Sequence, residues 1–379
     1  MKKIYLDNAA TTPLASEVLE EMMPYLKDDF GNPSSTHSYG RKTKNIIEIT
    51  RRNIANHLNA EPNEIIFTSG GTEADNMALR CAVTDLGVKR IITSQIEHHA
   101  VGHTADHLKQ TMNIKVDLVK IKQNGHVDLD HLETLLKSDI PTLVSLMHAN
   151  NEISNLLPIK TVSEMCRKHN AYFHSDTVQT MGHYTFDLKD LDIDFLACSA
   201  HKLHGPKGVG FLYINKCIQI NQFITGGSQE RKRRGGTENL YGIVGLGKAL
   251  DMSFQDLKSH QDHVQEIKSY MINELLKIDD QISFNGDIRP EHSLYTVLNV
   301  CFPKNDHSSM LLFSLDIKGI AASGGSACSS GSNIGSHVLA ELPNTDNCQS
   351  IRFSFSRYTT KKEINFALEK IKELVELSV

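Results

Sequence analysis

Ile65-Ile66-Phe67-Thr68-Ser69-Gly70-Gly71-Thr72-Glu73 is the stretch on which the reading of the fold turns. Residues that favour strands run into two glycines, and the pattern beyond them, 72–86, has helical spacing. A strand passing through glycine straight into a helix points to an α/β fold. The same unit recurs along the chain. Arg90 to Thr93, Ile114 to Val119, Thr142 to Met147, Ala171 to His174 and Phe195 to Cys198 all read as strands. Several are nearly continuous in apolar residues, as expected of strands covered on both faces. Helical stretches at 129–137 and 158–169 lie between them. The alternation predicts a mostly parallel sheet with helices on both sides, and ligands beyond the carboxyl ends of its strands.

Farther on, 237–277 is periodic and poor in proline, which predicts one or two extended helices. They lead to a smaller α+β domain with a strand near Thr296–Cys301, a helix at 307–316, a Gly/Ser-rich loop from Ser323, a strand at Ile351–Ser354 and a last helix from about 361. The expected division is 1–15 as an N-terminal segment packing with the small domain, 16–250 as the large domain and 251–379 as the small one.

A chain of 379 residues, 40% hydrophobic and 22% charged, is long enough for two or three domains and ordinary enough to be globular. A formal net charge of −5 gives no electrostatic reason to expect general nucleic-acid binding, which wants a basic face, and leaves room only for a local basic patch. The run Arg231-Lys232-Arg233-Arg234 reads as solvated surface. The start has no long apolar stretch of a secretory signal, and nowhere are there about 18 consecutive apolar residues, so neither export nor a membrane span is expected. The seven cysteines form no CxxC pair and no zinc spacing, which points to free thiols in a reducing cytoplasm and to no metal centre. Most are expected to pack as small hydrophobes.

Four constellations carry chemistry. Thr68 to Glu73 offers glycine amides and a helix N-terminus to a phosphate, with the Thr72 hydroxyl beside them; the plainer alternative is a capped helix start. Asp176 follows a strand, where it either caps a helix or pairs with a protonated ring nitrogen. Lys202 in Ser199-Ala200-His201-Lys202 follows an apolar strand and precedes a Gly-Pro turn. Desolvation there would free its amine for a Schiff base, and Asp176 upstream favours that over a structural lysine. The fourth, Ala322 to Ser332, places Cys328 among glycines and serines, flanks that argue against a core position.

Together with Glu97-His98, His148 to Glu152, Asp176 to Gln179, Tyr5 to Pro13, Phe30 to Ser35 and Arg234 to Asn239, these motifs closely resemble the class V branch of the fold-type-I pyridoxal-phosphate enzymes. More narrowly the chain resembles a cysteine desulfurase, from residue 4 to about 360. The resemblance implies pyridoxal 5'-phosphate as cofactor, with Lys202 as its Schiff-base lysine. His98 would stack on the ring, Asp176 would meet its nitrogen, and Asn151 and Gln179 would lie on its hydroxyl side. Gly71, Thr72, Ser199 and His201 would hold the phosphate, with Thr237 reaching the phosphate of a neighbouring subunit in a homodimer. Arg352, assisted by Asn151, would take the carboxylate of L-cysteine, His98 would manage the thiol proton, and Cys328 on a mobile loop would accept the sulfur as a persulfide. L-alanine would leave, and the sulfur would pass to an acceptor such as an iron–sulfur scaffold or a tRNA-thiolation enzyme. A selenocysteine lyase, a class V aminotransferase and a non-catalytic dimeric scaffold are the alternatives. Ser356, where glycine is frequent, and Ile334-Gly335, in place of Glu-Pro, depart from the pattern.

Overall fold

The computed structural model describes residues 3–304, 310–324, 335–343 and 345–376. In chain order the first half runs β1 (Ile4–Tyr5), α1 (Ser16–Lys27), α2 (Ser38–His57), β2 (Ile65–Thr68), α3 (Gly71–Asp85), β3 (Arg90–Thr93), α4 (His99–Met112), β4 (Lys115–Leu118), α5 (Leu129–Leu136), β5 (Thr142–Ser145), α6 (Ile159–Lys168) and β6 (Tyr172–Asp176). The second half runs β7 (Phe195–Ser199), β8 (Gly210–Ile214), α7 (Gln229–Lys232), α8 (Leu240–Gln255), α9 (Leu257–Ile278), β9 (Ser283–Phe284), β10 (Val297–Pro303), α10 (Leu311–Ile317), β11 (Ile320–Ala321), β12 (Cys348–Ser354) and α11 (Lys361–Glu376).

Seven strands form the main sheet in the order β2-β8-β7-β6-β5-β3-β4. Every pairing from β7 to β4 is parallel, and β8 runs antiparallel between β7 and β2. The apolar runs are continuous because both faces are covered. Ile65, Ile92, Val144 and Leu196 face one core, while their neighbours Ile66, Ile91, Leu143 and Phe195 face another. Of the two edge strands, β4 is part-exposed and β2 is fully buried. β8 is the strand that the alternation misses: Gly210 to Ile214 returns from β7 with no α-helix between them, only a 3-10 turn at Ala200–Lys202.

A second sheet, β12-β10-β9, packs with α9 and α11 around a core of its own that includes Val300, Ile351 and Ile371. Ile4 and Leu6 belong to that core, and β1 pairs in parallel with β11, Ile4 opposite Ile320. The N-terminal segment then crosses to the main sheet, where Thr12 N and Oγ1 both donate to His201 O.

Two expectations need correction. Cys301 of β10 and Cys348 of β12 form a disulfide across adjacent strands, so these two thiols are not free. The run at 231–234 is solvated at Arg231 and Lys232, as expected, but half-buried at Arg233 and Arg234. Glu230, Arg231 and Lys232 all have positive φ (44°, 57° and 64°), a left-handed turn that side chains rarely adopt. The buried Glu230 carboxylate holds it there, accepting from Arg51 Nη1 and Nη2 at 2.7 and 2.8 Å and from Phe67 N at 2.9 Å. That turn brings Arg234 back to Glu73 at 2.9 Å, at the start of α3. Among the described residues no helix is long and apolar enough to cross a membrane.

Candidate active site

β2, β6 and β7 all end at one side of the main sheet, and the chain after each of them bounds a cavity of about 520 Å³. From the β2–α3 connection come Gly71 and Thr72. From the end of β6 come Asp176 and Gln179, and from the end of β7 Ser199, His201 and Lys202. His98 precedes α4, Asn151 follows β5, and Arg352 reaches in from β12 of the second sheet. Residues predicted over a span of nearly the whole chain thus meet around one space.

The phosphate end is set by backbone geometry. Gly70, the residue before α3, has φ 149° and no side-chain cap for the helix. A Cβ on Gly71 would lie 2.6 Å from Val178 Cγ2, so only glycine fits. The first amides of a 15-residue helix face the cavity with the dipole's positive end behind them. Glu73 draws Ser69 N to its Oε2 at 2.8 Å and ties the turn to Arg234. Thr68 Oγ1 accepts from Gly70 N at 3.4 Å, and no side chain caps the first amides of the helix itself.

Lys202 lies in a short 3-10 turn, half-buried, with Nζ 2.5 Å from Ala9 O and 2.9 Å from Ala10 O. Gln179 Nε2 also donates to Ala9 O, at 3.1 Å. The N-terminal strap is thus the seat of the lysine, a role that strand and helix periodicity does not reveal. His201 pairs with Thr11 Oγ1 at 3.0 Å, and burial with the neighbouring Lys202 and Lys207 lowers its pKa to about 4.

Asp176 sits at the last position of β6 and accepts from Val178 N at 2.9 Å. Burial raises its carboxyl above the ordinary range, and His98, the Val178 amide and Lys202 pull the other way. His98 caps α4, accepting from Ala100 N at 3.1 Å through Nδ1. Burial lowers its pKa, partly offset by Asp176. Asp75, His98 and Asp176 each present an atom within 4.8 Å of the others, close enough to suggest a cation site. Burial, with Asp176 and Glu97 beside it, drives Asp75 toward its protonated form, which is a poor metal ligand.

Arg352 is almost fully enclosed. Its Nη1 donates to Asn151 O at 2.9 Å and its Nη2 to Asp7 Oδ1 at 2.8 Å, while Nε is buried without a partner among the described residues. Asp7 and Asp75 are the residues whose part the motifs did not disclose, because nothing in their local spacing marks them. Thr237 is exposed and does not line this cavity. Cys328 lies outside the described residues. The chain that follows it is anchored beside the site: Ser336 Oγ donates to Glu152 Oε2 at 2.6 Å, and His337 Nε2 meets Glu97 O at 2.9 Å.

An amine seated on carbonyls, an anion cradle, a buried carboxylate, a ring to stack and a guanidinium together fit a phosphorylated pyridine aldehyde and an amino-acid carboxylate. Residues 4–366 match the family model described as aminotransferase class-V. Cysteine desulfurase IscS of Dictyoglomus turgidum is 42% identical over 379 residues, covering 99% of this chain and 95% of its own length. Cysteine desulfurase IscS of Methanosarcina thermophila is 43% identical over 380 residues, with 99% and 92% covered. A solved structure described as a NifS-like protein superposes with a TM-score of 0.91 at 35% identity, covering 99% of this chain and all of the other.

Proposed function

Because this chain belongs to the class-V aminotransferase family and is a pyridoxal 5'-phosphate-dependent cysteine desulfurase, we propose that Lys202 holds the cofactor and Cys328 receives the sulfur of L-cysteine. The observation that carries the assignment is the convergence of Lys202, Asp176, His98 and Arg352, from four separate segments, on one cavity. Bound there, the cofactor supplies an electron sink for the substrate's α-carbon.

The chain's own residues do the rest. Gly71, Thr72, Ser199 and His201 bind the phosphate, with Thr237 contributed by a second copy in a homodimer. Asp176 keeps the ring nitrogen protonated, His98 covers the ring, and Asn151 and Gln179 fix its hydroxyl edge. Arg352, with Asn151, orients the substrate carboxylate. The Lys202 amine, once released, carries protons to and from the substrate carbon. His98 handles the substrate's thiol proton. The Cys328 thiolate attacks the substrate sulfur; an S–S bond forms, the carbon–sulfur bond breaks and the carbon takes a proton, leaving L-alanine and a persulfide on Cys328.

The persulfide then serves a sulfur acceptor, an iron–sulfur scaffold or a tRNA-thiolation enzyme, in the cytoplasm. The chain works as three parts: 1–15 as a strap, 16–250 as the cofactor-binding domain and 251–379 as the domain carrying the sulfur. The second sheet's own hydrophobic core, built mostly from residues after 263 together with Ile4, Leu6 and Ala9, supports that division. The test is alanine and persulfide formation from cysteine by the wild type, Lys202→Ala and Cys328→Ala. Both variants should lose sulfur transfer, and only Lys202→Ala should lose the cofactor's visible absorbance. Undiminished sulfur transfer by Cys328→Ala would sink the relay and favour a lyase or aminotransferase.

A further inference from the structure

One buried carboxylate at this site has no part in the scheme above. Asp75 lies one turn into α3 and is 1% exposed. Behind it His174 Nε2 lies 3.3 Å from Asp75 Oδ1, and His174 Nδ1 meets Ser145 Oγ at 2.8 Å. His174 and Ser145 are both fully buried. Neither Asp75 Oδ1 nor His174 Nε2 completes a hydrogen bond in the described residues. A buried acid and imidazole left facing each other cost stability, so their retention calls for a reason.

The charges around Asp75 identify that reason. Asp176 and His174 face it from β6, Glu97 and His98 from the β3–α4 connection, and Lys202 acts electrostatically on Asp176. Cys198 of β7, the other titratable neighbour of Asp176, is held as a neutral thiol by burial. Burial raises the Glu97 pKa to about 8 and lowers that of His174 to about 3, so both are neutral at neutral pH. Two carboxylates this close do not both ionise in such surroundings. Of the three carboxyls, the one with a cationic neighbour and a backbone donor is Asp176.

We propose that Asp75 is a positioning residue that remains a carboxylic acid, braced by His174 and Ser145, and thereby fixes Asp176 as the single anion facing the cofactor's ring nitrogen. The inference rests on Asp176 being the ring's partner. An ionised Asp75 would share the ring's proton demand between two sites and blur the placement of Asp176. An acid at this position adds a donor without adding a charge.

The test compares holoenzyme variants Asp75→Asn and Asp75→Ala, reading the cofactor's dissociation constant and the pH titration of its absorbance. The amide imitates the neutral acid, so Asp75→Asn should bind the cofactor within about threefold of wild type and titrate as it does. Asp75→Ala should bind about tenfold more weakly or worse and titrate about one pH unit away. Should Asp75→Ala fail to fold, Asp75→Ser takes its place, with the same expectation. Equal damage in Asp75→Asn and Asp75→Ala would overturn the proposal, because the anion would then be what matters. So would an unshifted titration in the alanine or serine variant. Asp176→Asn separates this from the parent reading: if it leaves affinity and titration unchanged, Asp176 is not the ring's partner; if it disrupts both, that assignment stands whatever Asp75 does.

Discussion

Arg352 Nη2 donates to Asp7 Oδ1 at 2.8 Å, so the guanidinium assigned to the substrate's carboxylate already holds one from the N-terminal segment. The other arm is taken by the Asn151 carbonyl. The fork is therefore locked in one plane before substrate arrives. Asp7 also offsets a positive charge that is 1% exposed.

That locking makes the shape of the cation matter more than its charge. Arg352→Lys keeps the charge and loses the fork. We expect KM for cysteine to rise about 10- to 100-fold, with kcat changed far less and the cofactor absorbance unaltered. Steady-state kinetics beside a spectrum of the resting enzyme check it. A fall in kcat alone would show that Arg352 does not bind ground-state substrate.

The disulfide makes a countable prediction. Among the described residues two cysteines are paired and four are free; with Cys328 as a thiol, alkylation of the unfolded, unreduced protein should label five of the seven, and prior reduction should expose all seven. The bond closes a loop with a sequence separation of 47. Chain entropy puts its stabilisation at about 4 kcal/mol, and Cys301→Ser should lower the thermal midpoint accordingly. Mass spectrometry of the alkylated protein decides the pairing.

Lys268 of α9 supplies a test by pH. Its side chain is fully buried, and Nζ donates to Ser293 Oγ at 3.0 Å and Leu294 O at 2.9 Å, both uncharged. Burial lowers its pKa from 10.5 to about 7, against a weaker pull from Asp287. Between about pH 7 and 10.5 the unfolded chain therefore binds this proton while the folded one does not. This group's contribution rises with pH through that window, is complete above it and is lost as pH falls toward 7. Lys268→Met should remove a slope totalling on the order of 3–5 kcal/mol, measured by chemical denaturation of both proteins across the range.

Periodicity revealed the parallel part of the main sheet because its strands are buried on both faces and therefore continuous in apolar residues. It missed β8, whose five residues follow β7 through a turn rather than a helix. Lys202, Asp176 and the Gly70-Gly71 turn stood out because each sits where a strand ends. Asp7 and Asp75 were silent, since their importance lies in what approaches them from elsewhere: β12 for one, β6 for the other. The Cys301–Cys348 pair was hidden for the same reason, because spacing does not show that β10 and β12 run side by side.

The parallel pairing of Ile4 with Ile320, and of Asp7 with Ser354, has a consequence for how the molecule is made. A ribosome emits the strap more than 300 residues before these partners, so the strap waits for them while the main sheet is made. Until β12 is made, Asp7 has no Arg352 to meet. A nascent chain cut short before β12 would thus have the whole of the main sheet's sequence and lack the guanidinium that completes the lining of the pocket.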